Sequence, residues 1–207
     1  MYSAESHGDS DKSIVQTTIK SLTGCFSKVF LHKALCILLC LILIVTSTTF
    51  SQFSRAEDTT EYTLKAVFLY NFAIFTSWPD HSKDNFILCI YGKDPFGQDL
   101  DTLMRAKRIY DRMVDIHRIS NLEQLNSCQL VFISRAAVSS LPDVINVLKD
   151  KPVLTVADSP RASQQGVMLN MNVQQDKVSF EANLMMAKRS GLNLSSQLLR
   201  LATEVYR

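Results

Sequence analysis

Glycine and proline are scarce in this chain, at six and five among 207 residues. That excludes collagen-like repeats and Pro/Gly-rich low-complexity chains. A large excess of either charge is missing too: 22 Lys and Arg stand against 20 Asp and Glu, a formal net charge of +2. With 46% hydrophobic residues and so little net charge, the composition argues against long disorder, the polar residues 1–27 being read as a disordered extension or an early start. Beyond residue 56 the glycines are Gly92, Gly97, Gly166 and Gly191, and they assemble no G-x-G-x-x-G or Walker loop. No G-x-S-x-G elbow exists. His81 and His117 are the only imidazoles in the same stretch, and neither sits in an H-E-x-x-H or C-x-x-C setting. No metal site, no cofactor and no catalytic set is therefore expected. Met185 and Met186 open a predicted helix and read as core filler.

Apolar residues are unevenly placed. Ala34–Val45 (ALCILLCLILIV) is a run of twelve without a polar side chain, with Lys28, His32 and Lys33 before it and small residues such as Ser51, Ser54 and Ala56 after it. This is the order of a secretory signal. A membrane-spanning helix needs about 20 predominantly apolar residues. The expected reading is a polar N-terminal extension and signal over residues 1–56, cleaved after Ala56, and a single domain over 57–207. The alternative is an inner-membrane anchor through an uncleaved 34–50 segment. Leu22-Thr23-Gly24-Cys25 looks like a lipoprotein box, but no apolar core precedes it, so chance explains it better. Five basic and three acidic residues fall in the leader, leaving 17 of each sign behind it. A neutral domain has no broad basic field, so nucleic acid is not an expected partner. Cys89 and Cys128 are the only cysteines after the leader. In an exported domain they are a candidate disulfide, the alternative being two buried thiols.

Along the mature chain, Glu61–Ser77 predicts a helix that is apolar all round. Leu64, Val67, Phe68, Asn71, Phe72 and Phe75 lie on one face, and Ala66, Leu69, Tyr70, Ala73 and Ile74 on the other. Trp78-Pro79 ends it. Phe86–Tyr91, Met113–Ile119, Gln129–Ser134 and Pro152–Val156 predict strands. Helices are expected at Pro95–Met104, after Asn121 as a cap, and from Ser139 or Ser140 to Leu148. Val167–Met171 and Val178–Asn183 predict two strands joined by Gln174–Lys177, followed by a helix over Leu184–Ser190 and a last one over Leu194–Val205. Such alternation predicts an α/β fold: one three-layer domain, a mostly parallel sheet flanked by helices, with an antiparallel strand pair near the C-terminus.

Few residues carry chemistry. Glu181, beside Asn183, suits a general base or a ligand carboxylate. Without a partner His or Ser, a hydrogen-bonded strand-end carboxylate is the better reading. Arg105, Lys107, Arg108, Arg112 and Arg118 form a basic run whose field is largely cancelled by Asp99, Asp101, Asp111 and Asp115. The aromatic residues Phe68, Phe72, Phe75 and Trp78 exceed what one core face requires. They are candidate contacts for a partner, against the alternative of full burial between two layers.

The ordered segments together resemble the YfiR-like family (the domain called DUF4154). The matching residues are Lys65-Ala66-Val67-Phe68-Leu69-Tyr70-Asn71-Phe72 with Trp78-Pro79, then Cys89 to Gly92 and Asp94-Pro95-Phe96-Gly97. Next come Cys128 with Val131-Phe132-Ile133-Ser134, and Pro152 to Val156 with Asp158. Phe180-Glu181, Asn183-Leu184, Gly191-Leu192 and Ser195-Ser196-Gln197 complete the set. The resemblance covers residues 61–204. It implies a Cys89–Cys128 disulfide. It singles out Asn71, Pro79, Phe96, Gly97, Ser134, Glu181 and Asn183 as motif positions. No cysteine follows Cys128, so the second disulfide of some relatives is absent.

Characterised members are periplasmic inhibitors of a membrane-bound diguanylate cyclase. They bind its periplasmic sensor region, and an OmpA-like outer-membrane lipoprotein sequesters them. The resemblance thus implies a non-enzymatic periplasmic repressor that lowers cyclic-di-GMP signalling. A homodimer is compatible with the sequence. Two other readings compete: a periplasmic small-molecule binding module feeding an envelope sensor, bound near the loop after Tyr91, and a hydrolase using Glu181.

Overall fold

A computed structural model describes residues 61–79, 84–174 and 177–207. The leader with its apolar run and the cleavage position after Ala56 lie outside the described residues, as do His81 and the turn residues Gln175 and Asp176.

The chain opens with α1 over residues 61–74 and the two-residue β1 (Thr76–Ser77). There follow β2 (Phe86–Tyr91), α2 (Gln98–Arg105), β3 (Arg108–Ile109) and β4 (Arg112–Ile119). After a 3-10 turn at Leu122–Ser127 come β5 (Leu130–Ile133), a second 3-10 turn at Arg135–Ser140, α3 (Leu141–Val147) and β6 (Leu154–Ala157). A third 3-10 turn at Ser163–Gln165 leads into the hairpin β7 (Leu169–Gln174) and β8 (Lys177–Asn183). The chain closes with α4 (Leu184–Arg189), β9 (Asn193–Leu194), α5 (Ser196–Leu201) and β10 (Glu204–Tyr206).

The main sheet runs β10-β8-β7-β6-β5-β2-β4-β3. Its pairs are parallel except β7 with β8 and β3 with β4. The central order β4-β2-β5-β6-β7 is that of a doubly wound sheet, which reverses direction between β2 and β5. The expected α/β architecture with its C-terminal antiparallel pair is thus what the chain adopts. β2, β5 and β6 read as continuous apolar runs because both of their faces are covered. One face packs α1 and α2 through Ala66, Leu69, Phe72, Leu100 and Met104. The other packs α3 through Leu141, Val144 and Leu148, with Cys89, Val131 and Ile133 from the sheet.

Three expectations need correction. On α1 the seated face is Ala66, Leu69, Phe72 and Ala73, whereas Leu64 and Val67 are 40% and 38% exposed. Apolar residues on all sides gave the periodicity no direction. The small side chains of Ala66 and Ala73 let the helix approach the sheet. Second, α1 ends at residue 74 rather than 77. Thr76 and Ser77 pair antiparallel with Leu194 and Asn193, and the Ser195 N–H donates to the Phe75 carbonyl at 2.9 Å. Third, the last helix stops at Leu201, because Ala202 is extended (φ −69°, ψ 139°). The Thr203 backbone N–H and its hydroxyl both donate to the Phe180 carbonyl, at 2.8 and 3.0 Å, which pulls Glu204–Tyr206 alongside β8.

Cys89 and Cys128 form a disulfide with Cα atoms 5.9 Å apart. It ties the middle of β2 to the lead-in of β5, on the α3 face, and both cysteines are buried. Asn121 caps the turn at Leu122–Ser127, its side chain accepting from the Glu123 N–H. The β3–β4 hairpin turns on Tyr110 and Asp111, both left-handed at φ 51° and 64°. Two such residues suit the twist of a two-residue hairpin but are costly without glycine. Tyr110 repays by donating its hydroxyl to the Thr76 carbonyl at 2.6 Å, fastening the hairpin to β1.

Two predictions follow from this frame. Removing the disulfide as Cys89→Ser/Cys128→Ser should lower unfolding stability in urea by about 4 kcal/mol, the chain-entropy value for a loop of this length. Asp111→Gly should raise it by about 0.5–1 kcal/mol, since only the left-handed strain is removed.

Candidate functional site

The carboxyl ends of β2, β5 and β6 meet at the point where the sheet reverses direction, the usual position of a site in such a sheet. Each strand contributes the residue that follows it: Gly92, Ser134 and Asp158. Gly92 is left-handed at φ +91°. A Cβ there would sit 2.7 Å from both Ser134 Oγ and Ala137 Cβ, so only glycine fits.

The first turn of α1 lies over this corner. Lys65 is fully buried and donates to Asp158 Oδ2 at 2.6 Å and to Glu61 Oε1. Its ammonium also stands 4.3 Å from the centre of the Tyr62 ring. The Tyr62 hydroxyl donates to Asp158 Oδ2 at 2.9 Å. Arg135, which directly follows Ser134, reaches the same group. Its Nε donates to the Asp158 carbonyl at 2.9 Å and lies 3.3 Å from Oδ2, and its Nη2 is 3.5 Å from Glu61. Two cations thus face two carboxylates, with the side chains of Lys65 and Asp158 both at 0% exposure. Burial, reinforced by the adjacent Asp158 carboxylate, drives the Tyr62 phenol far above its ordinary range, so it stays a donor. Asp158 Oδ1 and Ser134 Oγ are buried without a hydrogen-bond partner among the described residues.

The loop after β2 roofs the corner. Phe96 packs edge-on against Tyr62 and Phe132, at 5.4 and 4.8 Å between ring centres. Asp94 Oδ1 accepts from the Phe96 N–H at 2.8 Å, and Arg118 clamps Asp94, Asp101 and the Gly97 carbonyl. The hydrogen bond from Arg118 holds the Asp101 carboxyl below its usual range.

The structure therefore brings Phe96, Gly97 and Ser134 to one corner with Lys65 and Asp158. It does not bring the other motif residues there. Asn71 is half-buried on α1 with no side-chain hydrogen bond to a described residue. Pro79 borders the opposite end of the sheet. Glu181 and Asn183 lie on the polar face of the β7–β8 hairpin. Glu181 Oε1 accepts from Asn172 Nδ2 at 3.0 Å, as a hydrogen-bonded strand carboxylate does, while its Oε2 is buried with no partner among the described residues. Asn183 caps α4 by accepting from the Met186 N–H at 3.0 Å, and donates to the Ser163 carbonyl at 2.9 Å. On the same hairpin face, Asn170 is fully buried with no partner for its side-chain amide among the described residues.

The aromatic candidates divide. Phe72 is fully buried and Trp78 is 8% exposed, so neither offers a surface to a protein partner. Phe72 stacks edge-on against Phe180 at 5.0 Å and Trp78 against Phe86 at 5.2 Å, as core side chains do. Phe68 and Phe75 are half-buried against the same core. Glu61, Tyr62 and Arg135 were not legible as site residues. The i, i+4 spacing of Glu61 and Lys65 was the one available signal, and it reads as an ordinary helix pair.

What the corner does in the fold is fasten. Lys65 donates to two carboxylates, and Ser134 has no base hydrogen-bonded to it. The pair binds the start of α1 to the switch point of the sheet and fixes the Phe96 loop over it.

A family model described as YfiR/HmsC-like matches residues 62–203. No curated protein sequence matches the chain. Among solved structures, the ABC domain from Streptococcus pneumonia in complex with L-Trp aligns at a TM-score of 0.44 and 10% identity, covering 58% of this chain and 55% of that one. A conserved domain protein from Vibrio cholerae aligns at 0.44 and 9%, covering 58% and 54%. The chain spans little more than half of each, and likeness at this depth carries no functional meaning.

Breaking the buried pair as Lys65→Met should cost roughly 3–5 kcal/mol by leaving the buried Asp158 charge to Tyr62 and the half-exposed Arg135 alone. Lys65→Met/Asp158→Leu should recover a large part of that loss, both read by urea denaturation. Because the folded Asp101 carboxyl is held low, its contribution is present above the ordinary carboxylate range and fades as pH falls through the lowered value. Arg118→Met should move the Asp101 titration back up, as followed by carboxyl NMR.

Proposed function

The chain belongs to the YfiR/HmsC-like family, and from that premise we propose that it is a periplasmic regulator that binds the periplasmic sensor region of an inner-membrane diguanylate cyclase and represses it. The family is a regulatory one. The observation that carries the proposal is the match over residues 62–203, almost the whole described domain. Several features support it. The buried Cys89–Cys128 disulfide suits an oxidising compartment. The leader has the order of an export signal. Lys65, Ser134 and Asp158, which carry the family resemblance, converge on one corner that holds the domain together.

The mechanism is a binding equilibrium read across a membrane. A repressor shifts the cyclase only by the difference in its affinity for the inactive and active states. An OmpA-like outer-membrane lipoprotein that competes for the same protein would release the cyclase by mass action, and self-association would compete likewise. The contact surface we favour is the outer face of α1, where Leu64 and Val67 are exposed apolar side chains one turn apart. Phe72 and Trp78 serve the core beneath it.

Deleting the gene should raise cellular cyclic-di-GMP, and the full chain should restore it while residues 57–207 without the leader should not. Unchanged cyclic-di-GMP across growth conditions would count against cyclase repression. Leu64→Asp/Val67→Asp should relieve repression while urea unfolding stays cooperative, since neither side chain belongs to the core.

A further inference from the structure

At the opposite end of the sheet from the Lys65–Asp158 pair lies a cleft of about 450 Å³. It opens where β5 and β6 begin, since Gln129 and Val153 directly precede those strands. Its apolar wall is Trp78, Pro79, Pro152 and Val153, and among the described residues the charged ones lining it are Arg112 and Lys151. Among the described residues no carboxylate lines it, and neither cation forms an ion pair with one of them.

The cleft is built rather than incidental. Gln129 holds three elements at its floor. Its carbonyl accepts from Trp78 Nε1 at 3.2 Å and from the Leu154 N–H at 2.9 Å, and its Oε1 accepts from the Ile87 N–H at 2.7 Å. The indole is thereby fixed with one edge toward the cleft. Arg112 is positioned by donating Nη2 to the Asn85 carbonyl at 2.7 Å and by lying over the Phe86 ring at 5.6 Å. Its Nη1 donors have no partner among the described residues. Lys151 donates to Asn126 Oδ1 at 2.6 Å, leaving two of its three ammonium protons.

We propose that this cleft binds a small organic carboxylate with an apolar body. The apolar wall takes the body, and Arg112 with Lys151 takes the carboxylate. The volume falls within the range of small-molecule sites. A phosphate is less suited, because no lining residue is glycine and no helix N-terminus supplies a cradle of backbone N–H groups. The cleft shares no residue with the outer face of α1 at Leu64 and Val67, so its test does not rest on cyclase repression.

The chain contains one tryptophan, and it lines this cleft, so its emission reports occupancy directly. The exported full chain would be titrated with octanoate, with 1-octanol and with octylammonium. Octanoate should change Trp78 emission saturably. Octanol should bind roughly tenfold or more weakly, reflecting the lost charge-assisted hydrogen bonds, and octylammonium should give no saturable change. Lys151→Met, a partly exposed position that leaves the fold intact, should weaken octanoate by a similar factor, and Arg112→Met should do so too if its melting curve stays cooperative. No saturable response to octanoate, equal binding of octanol, or unchanged affinity in Lys151→Met would overturn the proposal.

Discussion

The ion pair between Lys65 and Asp158 is the constraint on which the rest of this structure depends. Both side chains are fully buried, between a helix and the end of a parallel strand. Desolvating either charge costs several kcal/mol unless it is paired and hydrogen-bonded. The apolar surface of α1 offers no unique seat, because side chains on every face are apolar. The lysine does: with Glu61, Tyr62 and Arg135 around it, one placement satisfies the charges. That placement sets which face of α1 meets the sheet, which side chains stay exposed, and where the loop carrying Phe96 closes. We treat this as specificity obtained through a buried charge rather than as stability for its own sake.

From that seat two ends of the sheet acquire different characters. The carboxyl ends of the strands are closed by a buried ion-pair network and a packed aromatic roof. The amino ends of β5 and β6 stay open as a cleft with cations and an indole. The disulfide lies between them, joining β2 to the approach of β5. The recognition functions proposed for this domain draw on the exposed face of α1 and on the open cleft.

Much of this was legible in the sequence. The strand Phe86–Tyr91 was read at its true bounds, since a fully buried strand is a bare apolar run ending at a glycine. The β7–β8 hairpin, the cap at Asn121 and the cysteine pair were readable for similar local reasons. What escaped was short or non-local. β1, β9 and β10 are two or three residues long, too few for any period to show. The stripe that suggested a helix to Val205 includes Leu201, which is 71% exposed, and the helix ends there because Thr203 bonds to β8. The fastening corner draws on positions 61, 62, 65, 134, 135 and 158, which only the winding of the sheet brings together. Lys65 in particular reads as a solvated helix residue until its partner is known.

The most direct test of the regulatory account is reconstitution. A diguanylate cyclase from the same host, held in lipid vesicles with its periplasmic region outward, would be titrated with the purified protein while cyclic-di-GMP formation is followed inside. The account predicts saturable inhibition that an excess of the soluble sensor region relieves. Undiminished synthesis at saturating protein, with every cyclase of the host that carries a periplasmic region tested, would contradict it.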